Sequence, residues 1–276
     1  MTSATDWTLR RALAQSGLVP LDAQVLMAHV LGRDRAWLAA HATDALERGD
    51  VDRFFALAKR RREGEPVAYL VGRREFWGLD LAVEPCVLVP RPETETLVEA
   101  ALARMAPRDT LLDLGTGSGA IAITVACQRP ESRVVATDVT AAALAVARGN
   151  AERHHCSDRV EFLEGHWYEP LGNRTFDVIV SNPPYVGAGD PHLGRGDLRF
   201  EPRQALADGS PDGLASIRAI VAGASDHLKP NGWLLFEHGY DQAEAVQALL
   251  EAAGFGSIIS MQDLAGIPRV AGGKIK

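Results

Sequence analysis

Three cysteines in 276 residues, Cys86, Cys127 and Cys156, are too few and too irregularly spaced for a disulfide scaffold or a zinc site. They read as free thiols in a reducing compartment, and no metal is expected. Long apolar runs are missing too. No stretch approaches the roughly 20 apolar residues that cross a bilayer, so no membrane contact is expected. The opening residues Met1–Trp7 lack the apolar core of a secretion signal, which gives a bacterial-type cytoplasm as the expected location. Positive charge is in short supply: 29 Lys and Arg against 36 Asp and Glu leave a net charge of -7. No global basic field draws the molecule onto nucleic acid, and no direct nucleic-acid contact is expected. Repeats and low-complexity segments are also missing. What remains is an ordinary globular composition, 46% apolar and 24% charged, long enough for one large domain and a smaller one.

The first 64 residues carry apolar side chains at three- and four-residue spacing, as in Leu9, Leu13 and Leu18 and again in Ala23, Leu26, Met27 and Val30. This predicts helices throughout, with Pro20 near one start and Asp34 capping another. A helix over about 50–63 ends in the basic run Lys59-Arg60-Arg61-Arg62. Favourable charge at a helix C-terminus explains that run, and contact with an acidic or RNA-bound partner is the sharper alternative. From Pro66 the period changes. Val67–Gly72 and Arg74–Val83 predict a hairpin or short meander. Pro90 and Pro92 then make a stiff linker before a helix that opens with acidic Glu93. The domain boundary is placed near Cys86: residues 1–85 form a small helical substrate-recognition domain with a hairpin linker, and 86–276 the larger domain. Arg91 and Glu93 are more polar than a linker needs, so they are expected to line the substrate cleft.

The second domain alternates strand and helix: strands at 110–114, 133–138, 160–163, 176–181 and 233–237, helices between them, and a closing strand pair near 256–261 and 268–271. Such alternation predicts an α/β fold with a mostly parallel, doubly wound sheet. Leu112-Asp113-Leu114-Gly115-Thr116-Gly117-Ser118-Gly119 lies between the first strand and its helix. Gly115 and Gly117 allow close backbone approach, and Gly119 lets the helix pack near the strand. Asp138 ends the next strand, the spacing of a carboxylate that holds ribose hydroxyls. The glycine loop alone fits NAD as well as S-adenosylmethionine. Asp113, placed to hold a cationic methionine end, and the third glycine favour the latter. Trp167 has two readings, a cover for adenine or a core aromatic.

The fourth strand ends abruptly in Asn182-Pro183-Pro184-Tyr185. Two prolines cannot continue a sheet, and Pro183 forces Asn182 out of the helical region. The turn holds an amide, an uncommitted carbonyl and a flat aromatic in one rigid cluster. A planar substrate NH2 suits it: the Asn182 oxygen and the Pro183 carbonyl accept two hydrogens while Tyr185 packs on the face. Residues 187–213 are too many for a routine connection and read as a wall or lid over the substrate. His192 and His238 are read as loop-shaping residues rather than bases.

Together, Asp113-Leu-Gly-Thr-Gly-Ser-Gly119, Asn182-Pro-Pro-Tyr185 and Pro90-Arg-Pro-Glu-Thr-Glu95 resemble the peptide chain release factor glutamine N5-methyltransferase family. So do Gly196-Asp-Leu-Arg-Phe-Glu-Pro202, Glu237-His-Gly239 and Asp263-Leu-Ala-Gly-Ile-Pro268. The resemblance covers nearly the whole chain. It implies a seven-stranded Rossmann-like methyltransferase sheet and use of S-adenosylmethionine, bound by Gly115, Thr116, Gly117, Ser118, Gly119, Asp138, Trp167 and Asn182, to which the residue reading above adds Asp113. It also implies catalysis by Asn182, Pro183 and Tyr185. The substrate glutamine, from a Gly-Gly-Gln loop of release factors, would be held by Asn182 through Tyr185. Separately from the resemblance, a monomer is expected. Gly165-His166 stand where relatives often carry an acidic residue, so backbone groups would replace a carboxylate at the adenine amine. Methylation of adenine N6 or another nucleobase amine is the alternative substrate class, and an NAD-dependent oxidoreductase fits the glycine loop but not the turn.

Overall fold

The computed structural model describes residues 7–275. Met1–Asp6, read above for a leader, lies outside the described residues. Two compact units emerge: residues up to Arg73 together with Arg195–Phe200, and Arg74–Gly194 together with the chain from Glu201 onward.

The first unit is helical: α1 Leu9–Gln15, α2 Pro20–Leu31, α3 Arg35–Ala40, α4 Arg48–Arg62 and α5 Val67–Val71. Its core gathers Leu9, Leu26 and Met27, whose spacing predicts helices, together with Val51, Phe54 and Leu70. Asp34 caps α3, its carboxylate accepting the Trp37 N–H at 2.7 Å. The basic run is engaged within this unit: Arg60 pairs with Glu65, and Arg61 with both Asp22 and Asp197 at 2.6 Å. Arg62 donates to the Ser16 carbonyl. Val67–Val71 is a helix and not the expected strand. Its short apolar run fits either element by composition. Pro66 at its start, Gly72 in the left-handed region at its end and the burial of Ala68 and Leu70 decide for helix.

The hairpin β1 Arg73–Phe76 and β2 Leu79–Ala82 turns on Trp77 and Gly78, both at positive φ. Packing assigns it to the second unit, so the boundary falls after Arg73 rather than at Cys86. Phe76 and Leu81 are buried with Leu97 and Val98 of α6 Glu95–Leu102. The Asn150 side chain bonds both backbone groups of Ala82, at 2.7 and 2.9 Å. Apolar area decides the matter where the linker-like sequence before Cys86 does not.

The remaining elements of the second unit are β3 Thr110–Leu114, α7 Ala120–Gln128, β4 Arg133–Asp138, α8 Ala141–Arg153, β5 Val160–Glu164, β6 Phe176–Ser181, α9 Arg203–Leu206, α10 Ala215–His227, β7 Leu228–Glu237, α11 Ala243–Ala252, β8 Gly256–Gln262 and β9 Pro268–Lys274. The seven-stranded sheet has the order β5-β4-β3-β6-β7-β9-β8, with β9 antiparallel to both neighbours. Successive strand residues serve opposite faces. Leu111, Val178, Val180 and Leu235 join the core under α6, α7 and α8, while Leu112, Ile179, Leu234 and Phe236 join the core under α10 and α11. Burial on both faces explains why these strands are continuously apolar. Among the described residues no helix is long and apolar enough to cross a membrane.

Candidate active site

Strand register builds the site. Leu114 pairs with Thr137 on one side and Ser181 on the other, and Ser181 pairs with Phe236. The next residue of each strand, Gly115, Asp138, Asn182 and Glu237, therefore stands in one row along the C-terminal rim. The chain order reverses between β3 and β6, the position at which open α/β sheets bind ligands.

A cavity of about 360 Å³ opens at this row. Gly115 through Ser118, Asp138, Val139, Trp167, Asn182 and Pro184 contribute to its wall from the sheet side, and Arg91, Thr94, Gln204 and Asp208 from the connecting segments. The glycine loop is shaped for close approach. Gly117 has φ +56, and a Cβ there would stand in open space. A Cβ on Gly115 would come within 3.4 Å of the Trp167 ring. Trp167 packs against the α10–α11 core and also forms part of the cavity wall. Asp138 organises the loop, its Oδ2 accepting the Gly117 N–H at 2.9 Å and its Oδ1 the Thr140 N–H and hydroxyl at 3.0 Å. One acceptor position remains on Asp138 Oδ2, enough for one ribose hydroxyl. Apolar walls at Ile121, Val139 and Trp167 suit an adenine, and the volume lies in the range of small-molecule sites. The residues present fit S-adenosylmethionine.

Asp113 does not reach the cavity. In β3 its side chain turns toward α7, where it is fully buried. Oδ2 accepts the Thr116 hydroxyl at 2.7 Å and the Ala122 N–H at 3.2 Å, and Oδ1 has no partner. It braces the loop from the α7 side. Burial pushes its carboxyl from an ordinary 3.8 up to about 7 against the pull of those two bonds. The folded chain thus keeps this proton to higher pH than the unfolded one. The stabilisation is complete below about pH 4 and is lost as pH rises through about 7. Urea unfolding at about pH 5 and pH 8 should show wild type losing more stability across that window than Asp113→Asn, by about 1 kcal/mol or more. Equal losses would mean that Asp113 titrates as an exposed carboxyl.

The Asn182-Pro183-Pro184-Tyr185 turn is anchored from behind. Asn182 Nδ2 donates to Thr94 Oγ1 at 3.0 Å, Thr94 Oγ1 donates to Glu237 Oε2 at 2.7 Å, and the Tyr185 hydroxyl donates to Glu237 Oε1 at 2.9 Å. Gln242 Nε2 holds the Tyr185 carbonyl at 2.9 Å. Burial, then the Glu237 charge, push the Tyr185 hydroxyl up, so that it remains a donor. Asn182 and Pro184 reach the cavity wall; Pro183 is buried beside them, and Tyr185 packs half-buried against the α10–α11 core. Arg91 lines the cavity while pairing with the buried Glu201 carboxylate, whose other oxygen accepts the Val89 N–H at 3.0 Å. Glu93 is half-buried and off the wall. His192 is exposed on Asp190, and His238 is buried with Nδ1 on the Gly239 carbonyl; neither lines the cavity. Thr94 and Glu237 are the functional positions that sequence reasoning left without roles, although both fall in quoted motifs. The available signal was register: Glu237 ends its strand level with Asn182.

A sheet of this order, with a glycine loop after its first strand and an amide-bearing turn after its fourth, defines a Rossmann-like methyltransferase of the class that uses S-adenosylmethionine. Comparisons narrow the class. Residues 7–72 match the PrmC N-terminal domain and residues 92–193 the methyltransferase small domain. The release factor glutamine methyltransferase of Bordetella pertussis (strain Tohama I) is 54% identical over 270 residues, covering 96% of this chain and 98% of that protein. The protein of that name in Xylella fastidiosa (strain Temecula1) is 51% identical over 265 residues, covering 95% and 96%. A methyltransferase from Pyrococcus furiosus shares the fold, with TM-score 0.55 and 22% identity over 78% of this chain and 95% of that one. The chain belongs to the release factor glutamine methyltransferase family. It is an enzyme that methylates protein glutamine.

Proposed function

We propose that the protein transfers a methyl group from S-adenosylmethionine to the side-chain amide nitrogen (N5) of the glutamine in the Gly-Gly-Gln motif of peptide chain release factors. The observation that carries this reading is the rim row, in which the Asn182 amide stands beside the glycine loop with its nitrogen engaged by Thr94. Its oxygen is left for a substrate N–H.

S-adenosylmethionine, when bound, supplies an electrophilic methyl on a sulfonium. Gly115 through Gly119, Asp138 and Trp167 would hold it. An amide nitrogen is a weak nucleophile because its lone pair is delocalised into the carbonyl. The protein's contribution is therefore orientation. Asn182 Oδ1 and the Pro183 carbonyl accept the two substrate N–H bonds and aim the nitrogen lone pair into the cavity. Both oxygens also stabilise the positive charge that develops on that nitrogen. The 187–213 segment supplies one wall through Gln204 and Asp208. We assign the helical unit to recognition of the rest of the release factor.

Peptide mass spectrometry of purified release factor incubated with the protein and S-adenosylmethionine tests this. One methyl on the Gly-Gly-Gln glutamine is expected. Methylation of RNA, DNA or another protein, with that glutamine untouched, would leave the enzyme class intact and discard the substrate.

A further inference from the structure

Three hydrogen bonds link Asn182, Thr94, Glu237 and Tyr185 in one chain. Its polarity follows from chemistry. Glu237 is buried at the end of β7, and each of its oxygens faces one hydroxyl. Burial pushes its carboxyl up, while the bonds from Thr94 and Tyr185 and the Arg269 charge pull it back. In its ionised form it has no hydrogen to give, and both hydroxyls then donate to it. Thr94 has one hydroxyl hydrogen, and the carboxylate takes it. Toward Asn182 the Thr94 oxygen can only accept. The amide atom at 3.0 Å must then be the nitrogen, and the amide oxygen must be the atom left for the cavity.

We infer that Glu237, acting through Thr94, is a positioning pair that locks the Asn182 amide with its oxygen toward the substrate. This rests on the proposed amide methylation and adds the cause of its selectivity. A flipped amide would present NH2 groups to the cavity. It would repel a substrate N–H and welcome a carbonyl or carboxylate oxygen. The lock makes the turn a reader of hydrogen-bond donors, favouring glutamine over glutamate at the same place. Tyr185 takes the second Glu237 oxygen and thereby keeps the carboxylate fixed against Thr94.

Thr94→Val keeps the shape and removes the hydroxyl, and Thr94→Ser keeps the hydroxyl. With purified release factor as substrate, Thr94→Val should lower kcat about 30-fold, and Thr94→Ser should lie within about 3-fold of wild type. The Kd for S-adenosylmethionine, by calorimetry, should move less than about 2-fold in either, since the glycine loop and Asp138 are untouched. A release factor with glutamate in place of the motif glutamine should bind wild type more weakly than the unaltered factor. Thr94→Val should narrow that gap. Equal kcat in wild type and Thr94→Val would overturn the positioning role, as would equal impairment of both variants or loss of S-adenosylmethionine binding. A wild-type protein that leaves the release factor unmodified would instead overturn the substrate reading, and this role with it.

Discussion

Asn182→Ala should lower turnover about 100- to 1,000-fold, the loss that follows removal of one preorganised group aimed at developing charge. The alanine keeps the turn, because the two prolines fix its backbone and Gln242 still holds the Tyr185 carbonyl. Cofactor affinity should fall only modestly, less than about 5-fold, because the glycine loop, Asp138 and Trp167 remain. Stopped-flow or discontinuous methyl-transfer assays at saturating S-adenosylmethionine would read the first effect, and calorimetry the second. Full activity in Asn182→Ala would sink the proposal that this amide orients the substrate. A parallel collapse of cofactor binding would instead make Asn182 a cofactor ligand first.

Gly213→Ala should be nearly as severe, although residue 213 does not line the cavity. Gly213 has φ +66, and a Cβ there would lie 2.1 Å from the Tyr185 carbonyl oxygen and 2.7 Å from its carbon. Both atoms are backbone, so no rotamer relieves the contact. The opposite end of the same loop is also close, though less so: a Cβ on Gly187 would lie 2.6 Å from the Pro211 carbonyl oxygen. The cost should combine about 1–2 kcal/mol of left-handed backbone strain with the displacement of Tyr185, for a total of about 3 kcal/mol or more. Turnover should drop about 100-fold, because a shift of about 1 Å in the turn misaims the nitrogen. Gly209→Ala is the control. It has φ +83 but nothing within 4 Å of its added Cβ, so it should show the backbone strain alone and near-normal turnover. Differential scanning fluorimetry with a methyl-transfer assay on both variants separates the two effects, and a Gly213→Ala protein as active as Gly209→Ala would contradict them.

The parts of the site that the sequence reveals depend on local pattern. The strands, the glycine loop, Asp138 and the turn at Asn182 each announce themselves over about ten residues, and the register that unites them follows from a parallel sheet. The parts it hides depend on contacts far apart in the chain. Thr94 and Glu237 are separated by 143 positions, and no periodicity relates them. Asp113 shows a second limit. Its place beside the glycines suggests a ligand contact, but strand alternation turns its side chain to the face under α7. Trp167 shows a third, since spacing cannot say whether a ring at a loop edge faces core or cavity when it does both. Val67–Val71 fails for composition: β-branched residues favour a strand, and tertiary burial overrides that preference.

The helical unit is discontinuous along the chain. Arg195–Phe200 belongs to it, with Asp197 on Arg61 and Arg199 donating to the Glu63 carbonyl, while the residues on either side belong to the sheet. The chain crosses between units three times, after Arg73, Gly194 and Phe200. A protease nick within 195–200 leaves the two units covalently joined through Arg73–Arg74. A nick after Arg73 severs that join, yet 195–200 remains on the sheet-bearing fragment with its ion pair to Arg61. The helical unit therefore cannot be excised whole by a single cut, nor moved as one uninterrupted gene segment onto another catalytic domain.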